Sequence, residues 1–146
     1  MSWAEARELV ANGHACQPHS MNHPILTRIP QEEMRRQLEG SRNRIISETG
    51  QDVVALAYPN GQTSDYNQAT QEALQELGYS MAFTMSQGPI LAQKASRKPF
   101  EIPRISGQRR DTLASFILKV NGLYNVKKEL RYKLSWAPAP LPLAAI

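Results

Sequence analysis

The three histidines of this 146-residue chain, His14, His19 and His23, all lie within ten residues of one another. His19 and His23 place two imidazoles four positions apart. Imidazole is a common ligand for divalent metals, and two rings at this spacing can reach one ion when the intervening turn is compact. A catalytic zinc site usually takes three protein ligands and leaves one position for water, so another carboxylate or imidazole must come from elsewhere.

The same histidines also have an ordinary structural interpretation. Two imidazoles at this spacing can hydrogen-bond locally or satisfy buried polar groups without any metal. His14 follows Asn12-Gly13, a pair typical of the end of a helix, and is expected to bond locally. The metal hypothesis therefore depends on His19 and His23.

The elements around these histidines are expected to deliver them just past an extended segment. Ser2-Trp3-Ala4-Glu5 has the form of a capping box and predicts a helix that runs to about Asn12. Residues 14–18 are expected to form a short strand, with His19 at its end. A long helix is predicted with Pro30 in its first turn and with Gln31–Thr49 as its body, from the spacing of the apolar residues.

The middle of the chain repeats a pattern of strand, turn and helix. The apolar residues 53–57 predict a strand buried on both faces, which leads into the turn Tyr58-Pro59-Asn60-Gly61. A helix is expected over residues 67–77 and a strand over residues 79–84. This alternation predicts an α/β fold with a parallel sheet, in which ligands collect at the carboxyl ends of the strands. The histidine pair and the turn are both expected at such ends.

The second half of the chain is less regular. Beyond Gly88 we expect a basic loop, then a strand over residues 100–105 and a helix over residues 111–120. The chain is expected to divide into a domain over residues 1–125 and a C-terminal extension over residues 126–146 that is rich in proline at its end.

Composition favours a globular chain. A hydrophobic content of 41% suffices for a core, and no apolar run approaches the roughly 20 residues of a membrane helix. We expect no signal peptide, and the single Cys16 leaves the cellular compartment open. The net charge of +4 suits an anionic polymer or an ordinary solvated surface. Because the basic residues match no nucleic-acid reader motif, we expect no nucleic-acid partner.

The order of these motifs resembles the polysaccharide deacetylases of carbohydrate esterase family 4 from Ser2-Trp3 onwards. In that family a His-(Ser/Thr)-x-x-x-His-Pro segment binds the metal, and residues 19–24 have this form. A later strand ends in Ala-Tyr-Pro-x-Gly in one subgroup, as residues 57–61 do. Two further segments resemble that subgroup, Gly78-Tyr79 and Ile102-Pro103-Arg104-Ile105. The resemblance implies a partial (β/α) barrel from which the N-terminal βα units are missing.

The resemblance implies that the chain hydrolyses N-acetyl groups on an amino-sugar polymer, with a polysaccharide or oligosaccharide as substrate. His19 and His23 would hold Zn²⁺ or another divalent metal. The backbone amide of Asn60 would stabilise the oxyanion of the tetrahedral intermediate.

The remaining residues of the turn are implied to bind substrate. Pro59 and Gly61 would fix the turn, and Tyr58 would line the sugar groove. Each also has an ordinary interpretation, since Tyr58 and Pro59 suit turn packing and Gly61 suits a positive φ.

Two family motifs have no counterpart in this sequence. The family's Asp-Asp pair supplies the third metal ligand and the catalytic base, and the chain has no such pair. No histidine follows His23 to provide the general acid, and Ala57 replaces the arginine of the usual third motif. Asp52 and Asp65 are the nearest acids that could substitute as ligand or base, although Asp65 more simply begins the next helix.

Three hypotheses therefore stay open. The chain is a metal-dependent deacetylase, a non-catalytic remnant of that fold that binds a glycan or a partner, or a basic module that binds an anionic polymer without metal. A sheet edge left uncovered by the missing units also predicts that the chain associates with itself or with another chain, or is marginally stable.

Overall fold

A computed structural model of the chain describes residues 1–90 and 92–123, which belong to two compact units that divide after Arg104. The described part of the first unit contains α1 (Trp3–Ala11), α2 (Gln31–Thr49), β1 (Ala55–Ala57), α3 (Gln68–Glu76), β2 (Met81–Gln87), α4 (Ala92–Arg97) and β3 (Ile102–Arg104). That of the second unit contains α5 (Leu113–Val120). The predicted extension, residues 126–146, lies outside the described residues. Across the described ranges, no helix combines the length and apolarity needed to cross a membrane.

Within the described residues the three strands form one parallel sheet in the order β1-β2-β3. Ala57 of β1 pairs with Phe83 of β2, which in turn pairs with Ile102 of β3. The register between β2 and β3 then shifts, so that Gln87 pairs with Arg104. A parallel sheet whose strands alternate with helices confirms the predicted α/β class. It also brings the carboxyl ends of the strands to one edge.

The core of the first unit is a cluster contributed by α2, β1, α3 and the start of β2. Leu38, Leu56 and Leu74 are fully buried. Burying one such side chain stabilises the fold by roughly 1.5–3 kcal/mol. The buried face of α2, which carries Leu38, also includes a polar residue, Gln37, which is 2% exposed.

Local signals correctly predicted the start of α1 and the end of α2. The capping box of Ser2 and Glu5 is present at the start of α1, and α2 ends at Gly50 with a left-handed φ of 70°. The N-cap of α3 is Asn67. The expectation that Asp65 begins this helix was therefore wrong.

Two other expectations also differ from the structure. Residues 14–18 form no strand, because the side chain of Gln17 accepts hydrogen bonds from the amides of Val54 and Ala55, where a strand would use its backbone. The segment still lies beside β1, since the amide of Ala57 donates to the carbonyl of Pro18. The basic loop predicted beyond Gly88 contains the short helix α4.

Candidate functional site

The two predicted metal ligands lie together at the carboxyl end of β1. The ring centres of His19 and His23 are 4.7 Å apart, with 72° between the ring planes. Nδ1 of His19 is 2.7 Å from the carbonyl oxygen of Ala57. Because a carbonyl can only accept, Nδ1 carries the proton, and Nε2 of the neutral ring keeps a free lone pair. A backbone carbonyl commonly orients a metal-binding histidine in this way.

The segment that carries this pair, residues 19–23, is called the His loop below. Two of its residues are left-handed, Ser20 with φ 62° and His23 with φ 57°. Such a conformation costs a non-glycine residue on the order of 1–2 kcal/mol. The Oε1 atom of Gln37 holds the loop by accepting from the amides of Met21 at 3.1 Å and Asn22 at 2.9 Å. A buried side chain of α2 thus offsets the backbone cost of presenting the histidines.

The Tyr58-Pro59-Asn60-Gly61 segment, called the proline turn below, follows β1 directly. Its residues are buried except for Asn60 at the tip, which is exposed and has a φ of 55°. The amide of Gly61 donates to the carbonyl of Pro59 at 2.6 Å, which closes a three-residue turn. No residue in the described ranges accepts a hydrogen bond from the amide of Asn60. That amide is therefore available as a donor.

The ring of Tyr58 is packed in the core. It is fully buried and stacks on Tyr66, with ring centres 4.4 Å apart and 7° between the planes. Its hydroxyl donates to the carbonyl of Phe100 at 3.1 Å. Burial raises the pKa of Tyr58 well above its ordinary value. Of the two interpretations open from the sequence, this geometry supports packing for the ring, while the backbone of Tyr58 supports the turn.

The His loop and the proline turn line one open hollow of about 500 Å³, called the histidine hollow. Arg28, Asp65 and Arg104 also line it. Arg104 ends β3, and its Nε donates to the carbonyl of Thr84 at 2.7 Å. The hollow therefore combines the histidine pair, a residue whose backbone amide has no acceptor in the described ranges, and two arginines at the carboxyl edge of the sheet.

The acids proposed as substitute ligands are engaged elsewhere. The carboxylate of Asp65 is buried and accepts from the amide of Gln62 at 2.9 Å and from the hydroxyl of Ser64 at 3.3 Å. Asp52 is exposed and lies 3.9 Å from the guanidinium of Arg42. In residues 1–90 and 92–123, no three His, Cys, Asp or Glu side chains come together as a metal-binding group.

The sequence did not predict that Gln37 holds the His loop or that Arg104 lines the histidine hollow. A polar residue on the apolar stripe of α2 was the available signal for Gln37, because a buried amide needs partners. For Arg104 the signal was its place at the end of a predicted strand, where side chains reach the carboxyl edge of a parallel sheet.

The family model described as polysaccharide deacetylase matches residues 1–82, which is more than half of the chain. This chain belongs to the polysaccharide deacetylase family. The matched segment includes the His loop and the proline turn and ends within β2. No curated protein sequence matches this chain.

Solved structures share the fold of this chain. A deacetylase of Streptococcus pyogenes, solved in complex with acetate, has a TM-score of 0.74 and 21% identity over 82% of this chain and 50% of its own. A polysaccharide deacetylase of Bacillus cereus has a TM-score of 0.71 and 23% identity over 82% of this chain and 36% of its own. A pseudoenzyme of carbohydrate esterase family 4 from Bacillus anthracis has a TM-score of 0.50 and 18% identity over 90% of this chain and 46% of its own. The chain thus spans half or less of the length of these structures.

Proposed function

We propose that this polysaccharide deacetylase chain contributes two metal ligands and an oxyanion donor to a site that hydrolyses N-acetyl groups on an amino-sugar polymer. The observation that carries the proposal is the pairing of His19 and His23, with Nδ1 of His19 bonded to the carbonyl of Ala57. A ring oriented in this way offers Nε2 to a cation.

The separation of the two rings suits one shared divalent ion. Two imidazoles at about 2.1 Å from a tetrahedral zinc have ring centres roughly 5 Å apart, and His19 and His23 are 4.7 Å apart. Two imidazoles alone do not complete a zinc site, and Asp65 uses both carboxylate oxygens in its own turn. The third ligand and the catalytic base would therefore come from outside the described residues, or from another chain.

The chemistry assigned to this chain is positioning and charge stabilisation. A divalent ion, when bound, polarises the acetyl carbonyl and eases removal of a proton from the attacking water. The exposed amide of Asn60 would donate to the carbonyl oxygen as it gains negative charge. Pro59 and Gly61 would hold that amide in place through the closed turn, and Tyr58 would support the turn from the core.

Zinc calorimetry on the isolated chain tests the ligand assignment. We expect His19→Ala and His23→Ala each to abolish measurable zinc uptake, because one imidazole holds zinc poorly. His14→Ala is the matched control, since His14 lies outside the histidine hollow, and it should bind zinc like the natural chain. Equal zinc uptake in all three variants would overturn the proposal.

A turnover assay then tests the reaction. Release of acetate and of free amine from N-acetylated glucosamine oligomers should require zinc and both histidines of the pair. Binding of the oligomers without any acetate release would favour the second candidate, a non-catalytic glycan-binding chain. The observation behind that candidate is the lack of a three-ligand group in the described residues.

Binding of anionic polymers tests the third candidate, a basic module that binds such polymers without metal. Binding that is unchanged in His19→Ala and His23→Ala and that weakens steeply with added salt would favour a basic module.

A further inference from the structure

A second hollow adjoins the first and has no role in the function proposed above. It has a volume of about 360 Å³ and lies between the start of α1, the middle of α2 and the His loop. It is called the tryptophan groove here. His19 lines both hollows, so the tryptophan groove borders the histidine hollow at this residue.

One wall of the tryptophan groove is aromatic. Trp3, the largest side chain of α1, keeps 37% of its surface exposed. The guanidinium of Arg44 lies 5.4 Å from the centre of its ring, a distance that suits a cation–π contact. This contact fixes the indole from α2 and reduces the entropy that a ligand would lose in ordering it.

Another lining residue, Met21, depends on a glycine in the interior of α2. A Cβ atom on Gly40 would collide with the sulfur of Met21, a residue of the His loop that also lines the tryptophan groove. Glycine in a helix interior costs about 0.5–1 kcal/mol relative to alanine. Helix α2 therefore carries a locally unfavourable residue at the position that lets Met21 lie against it.

Polar groups stand beside these apolar surfaces. Asn22 lines the tryptophan groove, and its side-chain amide has no hydrogen-bond partner in the described part of the chain. The hydroxyl of Ser20 accepts from the amide of His23 and can donate its own proton. A flat aromatic wall with a few polar groups matches a ligand that has an apolar face and a hydroxyl-bearing edge. A pyranose ring has that chemistry.

We propose that the tryptophan groove binds the sugar unit next to the one whose N-acetyl group lies at His19 and His23. This inference rests on the proposed function and narrows its substrate class. The chain prefers oligomers long enough to occupy both hollows over a single amino sugar.

The fluorescence of Trp3 can be used to measure ligand binding in the tryptophan groove. The sequence contains two tryptophans, Trp3 and Trp136, so a Trp136→Phe chain has Trp3 as its single emitter. We expect saturable changes in its fluorescence with β-1,4- or β-1,6-linked N-acetylglucosamine tetramers, and none with the monosaccharide. A Trp3 signal that neither tetramer changes overturns the inference.

Affinity measurements in the otherwise natural chain complete the test. Trp3→Ala should weaken tetramer binding by about tenfold and leave zinc affinity unchanged. Trp3→Phe, which keeps an aromatic face, should retain most of the affinity and shows that the position tolerates substitution. Leu9→Ala is the matched control, because Leu9 lies on the same helix, is 38% exposed and does not line the tryptophan groove.

The two proposals fail separately. If zinc uptake depends on the histidine pair but the fluorescence of Trp3 does not respond to tetramers, the proposed function is retained and the sugar-binding role of the tryptophan groove is rejected. If the fluorescence of Trp3 responds to tetramers but the chain takes up no zinc, sugar binding in the tryptophan groove is supported and the proposed metal-dependent function is rejected.

Discussion

The proline turn and the His loop line the same hollow, but backbone hydrogen bonds hold the turn and side-chain hydrogen bonds hold the loop. The proline turn extends the sheet, since the amide of Tyr58 donates to the carbonyl of Phe83 at 3.0 Å and that of Met85 to the carbonyl of Gly61 at 2.8 Å. The His loop is held by side chains, chiefly the amide oxygen of Gln37. Substitutions in the turn should therefore change stability most, and substitutions behind the loop should change metal affinity most.

The largest effect on stability is expected at Gly61. Its φ is 72°, and an added Cβ would lie 3.0 Å from the backbone nitrogen of Met85. Gly61→Ala should therefore lower the free energy of unfolding by about 3 kcal/mol, from backbone strain plus a clash that no side-chain movement relieves. Urea unfolding measures this loss.

Gly13 provides the control for that substitution. Its φ is 84°, but no atom lies within 4 Å of an added Cβ. Gly13→Ala should cost only the conformational penalty of about 1 kcal/mol. Equal losses in the two variants would show that the proline turn is no more constrained than an exposed helix end.

An intermediate effect on stability, together with a fall in metal affinity, is expected at Gln37. Gln37→Leu removes the acceptor for two amides of the His loop and should cost about 2 kcal/mol of stability. Because the loop then orders only on binding, zinc affinity should fall about tenfold by calorimetry.

Tyr58→Phe serves as the comparison on the side of the turn. It removes one hydrogen bond, from the Tyr58 hydroxyl to the carbonyl of Phe100, and should cost about 1 kcal/mol. Zinc affinity should stay at the level of the natural chain. Similar zinc affinities in Gln37→Leu and Tyr58→Phe would contradict the contrast between loop and turn.

The smallest effect concerns alkaline pH. Burial raises the pKa of Tyr79 to about 12, and its hydroxyl donates to the carbonyl of Leu38 on the helix behind the His loop. The folded state favours the neutral phenol, whereas an unfolded tyrosine titrates near pH 10. This stabilisation is fully present below about pH 10 and is lost as the pH rises towards about 12.

Urea unfolding at about pH 9 and about pH 11 measures the alkaline loss. Tyr79→Phe should lower stability at the first pH and reduce the difference between the two. The pKa of Tyr58 is also raised by burial, so part of the difference should remain. A pH dependence identical to that of the natural chain would exclude Tyr79 as a contributor.

Much of the fold could be predicted because its signals are local. Helix α2 was predicted to end at Thr49 and does so, since the apolar spacing and the left-handed Gly50 both belong to the segment itself. Its start differs by one residue, because Pro30 is the N-cap and does not lie in the first turn. Strand β2 was predicted over residues 79–84 but is Met81–Gln87. The strand begins later than predicted because the backbone amide of Tyr79 donates to the carbonyl of Leu74 in α3 at 3.0 Å and so does not pair with a strand.

For the candidate site, the sequence by itself determined which residues lie near the carboxyl edge of the sheet. A His-x-x-x-His segment and a Tyr-Pro-Asn-Gly turn are short, and their spacing is set by the covalent chain. Tertiary structure alone decided what each side chain does there. The carbonyl that orients His19 belongs to Ala57, the amide that holds its loop belongs to Gln37, and the ring of Tyr58 faces Tyr66. These partners meet only when helices and strands pack, because they lie far apart in the sequence: His19 and Ala57 are separated by 38 positions, and Met21 and Gln37 by 16.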